Sequence, residues 1–189
     1  MNILIIDNKS KHIIKLKKLL INHKVTTFLY NEINLKLIDN FDLIILSGGS
    51  HFSVLGHEQE YKKEIEIIKN VNKPIIGICL GFQLIAYVFG AKLYKINKKI
   101  KGISPIKVIS DHYIFNNLPN FKVYESHRWL IKKIPKNFIE LARSKDGIEV
   151  FKHRYKNIYG FQFHPEVFCD ETCGDEIFYN LLNQISRLK

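Results

Sequence analysis

One cysteine stands where a nucleophile would stand. The stretch Lys73-Pro74-Ile75-Ile76-Gly77-Ile78-Cys79-Leu80-Gly81-Phe82-Gln83 reads as a buried strand, a tight turn and the start of a helix. Ile75 and Ile76 are β-branched and suit a central strand. Gly77 and Gly81 bracket Cys79, because a side chain at either flank would strike the neighbouring strand or helix. The pattern is that of a nucleophile elbow, with the reactive atom exposed on a strained turn. The helix that follows, over residues 82–89, aims its N-terminus at Cys79 and favours thiolate over thiol. Taken alone, such a cysteine fits a buried structural role equally well, so other residues must decide.

A cysteine nucleophile needs a base that takes its proton and returns it to a leaving group. The base in turn needs an acceptor that holds its tautomer and offsets its charge. His164-Pro165-Glu166 supplies both. On an extended backbone residues i and i+2 point the same way, and Pro165 stiffens the link. His127 is a rival base, set aside because position 129 is Trp129 and no carboxylate stands two residues after it. Metal ligation is the weaker alternative: Cys79, His164, Cys169 and Cys173 lack compact ligand spacing, so no metal is expected.

These residues need elements that bring them together. Residues 2–6, 25–30 and 42–46 read as strands, and residues 10–22 and 59–70 as helices, with residues 35–38 a short helical link. The alternation argues for an α/β fold with an open, mainly parallel sheet and helices on both faces. Sites in such sheets lie at the carboxyl ends of the strands. Both Ser47-Gly48-Gly49-Ser50 and the Cys79 turn fall there. After Gly90 the pattern changes to short strands at 91–96, 103–109, 121–124, 138–143 and 148–153, with Asp146-Gly147 as a hairpin turn. A strand at 158–163 carries the chain to His164, and a helix over 174–188 closes it. No linker or repeat divides residues 1–189, so one domain is expected.

The bulk composition bounds the partners. The 189 residues carry a net charge of +11, with 29 Lys and Arg against 18 Asp and Glu. The lysines are spread along the whole chain and are not clustered with aromatics, so an acidic protein partner is favoured over nucleic acid. No apolar run is long enough to span a membrane, and residues 2–6 are too short a run for a signal peptide. Three cysteines make no disulfide framework, which points to the cytoplasm. Cys169 and Cys173 are expected to be buried, and His51 and His57 to be solvated.

The motifs GICLGFQ, the SGG before it and GFQFHPEV after it closely resemble those of the class I (triad) glutamine amidotransferases, over nearly the whole chain. The resemblance implies a flavodoxin-like fold and hydrolysis of L-glutamine to glutamate and ammonia through a cysteine thioester. It makes Cys79 the nucleophile, His164 the base and acid, and Glu166 its orienting partner. Backbone N–H groups of Gly49 (or Gly48) and Leu80 would meet the oxyanion. Gly48, Gln83, Ser126 and Trp129 would hold the substrate. No cofactor is implied on this chain; ATP and Mg would belong to a synthetase partner. Lys152-His153, the 158–167 run and the Ser126-His127 pair look most like the glutaminase subunit of two-subunit GMP synthetases, and the absence of an ATP-pyrophosphatase domain fits a separate subunit. Chorismate-using synthases as partners, and stand-alone hydrolysis of γ-glutamyl compounds, stay open. Three places depart from the family pattern: Ser50 where proline is usual, Trp129 where the GMP synthetase pattern has an acidic residue, and the Asp7-Asn8 start, which lacks the usual glycine or aromatic next.

Overall fold

The structure is a computed structural model that describes residues 1–187. Its layers follow from strands that are apolar on both sides. In β1 (Asn2–Asp7), β3 (Leu43–Leu46) and β4 (Ile75–Ile78), alternate residues enter opposite cores. Ile3, Ile5, Leu43, Ile45, Ile76 and Ile78 pack with Leu16 of α1 (Ile13–Leu19) and with Ile177, Phe178, Leu181, Leu182 and Ile185 of α4 (Gly174–Arg187). Leu4, Ile6, Ile44, Leu46 and Ile75 pack with Ile67 and Ile68 of α2 (Lys62–Asn70) and with Leu84 and Ile85 of α3 (Leu80–Val88). Each fully buried aliphatic side chain contributes about 1.5–3 kcal/mol, so these two cores lock the sheet between its helices.

The remaining strands are β2 (Lys24–Leu29), β5 (Leu93–Val108), β6 (Asn120–Ile131), β7 (Phe138–Arg143), β8 (Ile148–His153) and β9 (Ile158–Phe161). The described strands join one sheet in the order β2-β1-β3-β4-β9-β8-β7-β5-β6. The first five in that order pair in parallel, and the rest are antiparallel. The sheet curls. Although β6 is last in the order, its Tyr124 carbonyl accepts the His164 N–H at 2.9 Å, beyond the end of β9. This mixed sheet with helices on both faces is the fold expected from the sequence.

Several boundaries moved. Residues 91–96 and 103–109 belong to one strand, β5, because its register against β6 only shifts between Lys95 and Ile100. Its partner β6 runs on to Ile131, so Ser126 to Trp129 lie on a strand and not on a turn. β9 stops at Phe161, and His164 to Glu166 follow in a turn closed by the Val167 N–H to the His164 carbonyl at 3.3 Å. The extended geometry expected for His164 and Glu166 is therefore replaced by a turn. The helix over residues 10–22 shrinks to Ile13–Leu19, leaving Ile14 and Ile21 exposed. Asp146 and Gly147 end a longer loop that Ser144 closes, its N–H donating to the Gly147 carbonyl at 3.0 Å. Cys169 and Cys173 are half-buried, not buried, because they fall in the turns around the start of α4. His51 and His57 are exposed, as expected. The last residue assigned to the closing helix lies outside the described residues.

Candidate active site

The backbone at Cys79 is bent as an elbow requires. Its φ of 51° and ψ of −96° are unfavourable for a residue with a side chain and cost about 1–3 kcal/mol. Four constraints hold the bend. The Cys79 N–H donates to Phe161 of β9 at 2.7 Å, and the Cys79 carbonyl accepts from Gln83 at 3.1 Å. Gly81 presses on β3, where an added Cβ would lie 2.3 Å from the Leu46 carbonyl oxygen. A Cβ on Gly77 would strike the Gly81 backbone at 2.5 Å. The two glycines are therefore required by close approach, as read from the sequence. Cys79 stands at the N-cap of α3, the positive end of that helix's dipole, though its side chain makes no capping hydrogen bond.

The carboxyl ends of three neighbouring strands meet here. β3 ends in Ser47-Gly48-Gly49, β4 in Cys79, and β9 leads into His164. An added Cβ on Gly48 would lie 2.8 Å from His164 Cε1 and 3.5 Å from Cys79 Cβ, so the imidazole and the cysteine converge on that glycine. His164 Nδ1 donates to Glu166 Oε1 at 2.9 Å. This leaves Nε2 free to serve the Cys79 side chain, which converges on the same glycine. Burial works against a charged ring, but the Cys79 sulfur and then Glu166 outweigh it, and His164 is pushed up to about 10. The His164 ring is thus held in its charged, imidazolium form at neutral pH.

Around these residues lies a cavity of about 320 Å³, at the lower end for small-molecule sites. Gly49, Cys79, Leu80, Gln83, Ser126 and Trp129 line it, so all but one of the substrate and oxyanion residues read from the sequence face one space. The exception, Gly48, lies behind it against His164. Gln83 is held by its amide: Nε2 donates to the Trp129 carbonyl at 3.0 Å and to Gln162 Oε1 at 3.3 Å. Both of its protons are used, so its Oε1 is left as an acceptor.

Other residues of the site were not read from the sequence. Lys95, Lys99 and Arg128 also line the cavity and make its mouth cationic. They were hidden among evenly spread lysines, and the β5–β6 register shift collects them. Asn8 steadies the glycine turn, its Nδ2 donating to the Ser47 carbonyl and to Glu64 Oε1, both at 3.1 Å. Glu64 is fully buried, which pushes its carboxyl up to about 8 despite the Asn8 bond. His12 packs edge-on against His164, with ring centroids 5.0 Å apart. His127 does have a carboxylate partner, contrary to expectation. It lies two residues before it: Glu125 Oε1 is 3.2 Å from His127 Nε2. The alternation of β6 puts both side chains on one face, a signal that was present in the sequence. Glu125, His127 and Glu149 bring donor atoms within 4.8 Å of one another, the one such metal-ligating group among the described residues. A hydrogen bond ties His127 to Glu125, and Glu125 and Glu149 face each other with an otherwise unpartnered Oε2 each, so the cluster reads as proton-sharing.

No helix among the described residues is long and apolar enough to cross a membrane. The chain is 37% identical over 185 residues to the glutamine-hydrolysing GMP synthase subunit of Methanobrevibacter smithii, covering 95% of this chain and 94% of that protein. It is 42% identical over 139 residues to the protein of the same name from Pyrococcus abyssi, covering 72% of each. Among solved structures, a candidate GMP synthase subunit from Thermoplasma acidophilum superposes with a TM-score of 0.88 at 28% identity, covering 100% of this chain and 95% of that one. A glutamine amidotransferase from Thermotoga maritima shares the fold, with a TM-score of 0.81 at 19% identity, covering 98% of this chain and 97% of that one. The class I glutamine amidotransferase family model matches residues 4–185, and the chain belongs to that family.

Proposed function

We propose that this protein is a single-domain glutaminase subunit that hydrolyses L-glutamine and supplies the ammonia to a separate synthetase subunit making GMP from XMP. The observation that carries the chemistry is the convergence of Cys79, His164 and Glu166 behind one amino-acid-sized cavity. The names of the relatives support the GMP assignment.

In this reading the Cys79 thiolate attacks the side-chain carbonyl carbon of glutamine. A C–S bond forms, and the carbonyl oxygen becomes an oxyanion that meets the N–H groups of Leu80 and Gly49 (or Gly48). His164 gives its Nε2 proton to the amide nitrogen, the C–N bond breaks, and ammonia leaves. Water then attacks the thioester while His164 takes its proton. The C–S bond breaks, glutamate is released and the ion pair returns to its starting state. Glu166 holds the ring's tautomer and offsets its charge. The Gln83 acceptor suits the substrate's ammonium group, and the cationic mouth suits its carboxylate. ATP and Mg act on the synthetase partner, and the reaction belongs to the cytoplasm.

The test is glutamine hydrolysis by this chain alone, and then with an ATP-pyrophosphatase partner, ATP, Mg and XMP. The expected result is ammonia release stimulated by the full set and abolished by Cys79→Ala. Turnover that survives Cys79→Ala overturns the mechanism. Strong activity on γ-glutamyl peptides with no response to the synthetase set overturns the pairing with a synthetase.

A further inference from the structure

Three buried titratable side chains have no part in the steps above: His127, which helps line the cavity, and Glu125 and Glu149 behind it. Glu125 and Glu149 are essentially unexposed, and His127 nearly so. His127 is tied at both ring nitrogens. Nε2 faces Glu125 Oε1 at 3.2 Å, and Nδ1 donates to the Trp129 carbonyl at 3.0 Å, since a carbonyl can only accept. That carbonyl also receives Gln83 Nε2. The chain of contacts therefore runs from a buried carboxylate to the side chain that presents an acceptor to the substrate.

The far end of the chain is a pair of carboxyl groups. Glu125 and Glu149 bring carboxyl oxygens within 4.8 Å of each other, and each buries an Oε2 that no other group satisfies, so the pair needs a proton between them. Burial, then the Glu125 charge, drives Glu149 well above the usual carboxylate range, and the Cys79 charge adds to this. Burial also acts to raise Glu125, but its bonds to His127, Ser104 and Glu149 bring it below the usual range. Two facing, buried carboxyls of this kind share one proton as a pair, and burial raises Glu149 the more strongly toward its neutral form. The groups around Glu149 are Glu125 and His127 from β6, Ser144 from the β7–β8 loop, donating to its Oε1 at 2.9 Å, and Cys79 from the elbow. His127 is the one basic side chain among them.

We propose that Glu125, His127 and Glu149 form a proton-sharing network that positions the Trp129 carbonyl and Gln83, and that Glu149 must stay protonated for the site to hold glutamine. Loss of that proton sets two carboxylates face to face in a dry interior. The strand segment carrying Ser126 to Trp129 must then move, and Gln83 moves with it. The proposal rests on the glutamine reading given above. The three residues are positioning residues, since none of them reaches the reacting atoms.

The experiment measures glutamine affinity by calorimetry in the Cys79→Ala protein, from neutral to alkaline pH, with and without a second substitution. The amino group of glutamine titrates identically in every arm, so differences between arms belong to the protein. His127→Gln is expected to weaken binding about tenfold at neutral pH, the effect of one lost buried hydrogen bond. Glu149→Gln keeps the shape and still donates to Glu125 but cannot ionise. It is expected to shrink the alkaline loss of affinity at least threefold relative to Cys79→Ala alone. In the protein with Cys79 intact, His127→Gln should raise KM while kcat changes less. The network is overturned if Glu149→Gln loses affinity with pH as Cys79→Ala alone does, or if His127→Gln binds as tightly. If Cys79→Ala alone binds no glutamine at all, the glutamine reading itself fails, and the network fails with it.

Discussion

Replacing Gly48 by alanine adds one methyl group beside the two groups proposed to react. The new Cβ would lie 2.8 Å from His164 Cε1, where ordinary contact begins at 3.4 Å. The ring must therefore withdraw by about 0.6 Å. No backbone strain confuses the result, because Gly48 is not among the residues with positive φ. The ring has little freedom to withdraw: Glu166 holds Nδ1 at 2.9 Å, Tyr124 holds the backbone N–H at 2.9 Å, and His12 closes one face at 5.0 Å. A displacement of this size in a general acid and base is worth about tenfold to a hundredfold in turnover, or about 1.4–2.7 kcal/mol in the barrier. Overpacking adds a stability loss of about 1–3 kcal/mol. The assay is steady-state ammonia release at saturating glutamine with the synthetase partner present, with urea unfolding run in parallel. The expected signature is a fall in kcat with a smaller change in KM and a protein that still folds. If the folded Gly48→Ala protein turns over within twofold of the parent, the placement of His164 as proton carrier is refuted.

Other consequences follow from charge and packing. The His164 pKa is raised from 6.5 to about 10, so the ion pair's contribution to stability is complete below about pH 6.5 and is lost as pH rises to about 10. Thermal melts should show a smaller loss in Cys79→Ala than in the parent, and equal slopes would show that Cys79 does not help hold the ring's charge. Turnover should likewise fall through about pH 10, as the ring loses the proton it gives to ammonia. Glu64 is also raised, from 4.5 to about 8, but as an acid it is stabilising only while protonated. Stability should therefore drop by up to about 1.4 kcal/mol per pH unit across that window, and Glu64→Gln should flatten the curve; an unchanged slope argues against a neutral Glu64. His12→Phe keeps an edge-on ring against His164, whereas His12→Ala removes it. Kinetics should place Phe closer to the parent than Ala by several-fold in kcat, and the reverse order would show that the imidazole itself matters.

Much of the site was legible because its demands are local. A nucleophile elbow needs glycine at fixed offsets from the cysteine, and Gly77 and Gly81 state that in the chain itself. The strand ends carrying Gly48, Cys79 and His164 were legible for a similar reason, since βα alternation places successive carboxyl ends on one rim. The length of β5 and β6 was not, because turn-forming Asn and Gly residues inside them are tolerated by a bulge that only the pairing reveals. The turn at His164 was misread as extended strand, since Pro165 is compatible with both.

The chain's own order of residues was enough to read the fold class and to single out the side chains proposed to react, because periodicity and steric need leave local marks, and its motifs were enough to point to the family. Tertiary structure alone decided what surrounds them. The edge of His12 on His164, the Asn8–Glu64 brace, the cationic mouth and the Glu125–His127–Glu149 network join residues from separate elements. Their protonation states and orientations depend on burial and on a curled sheet that carries β6 back over the rim, and neither quantity exists until the chain has folded.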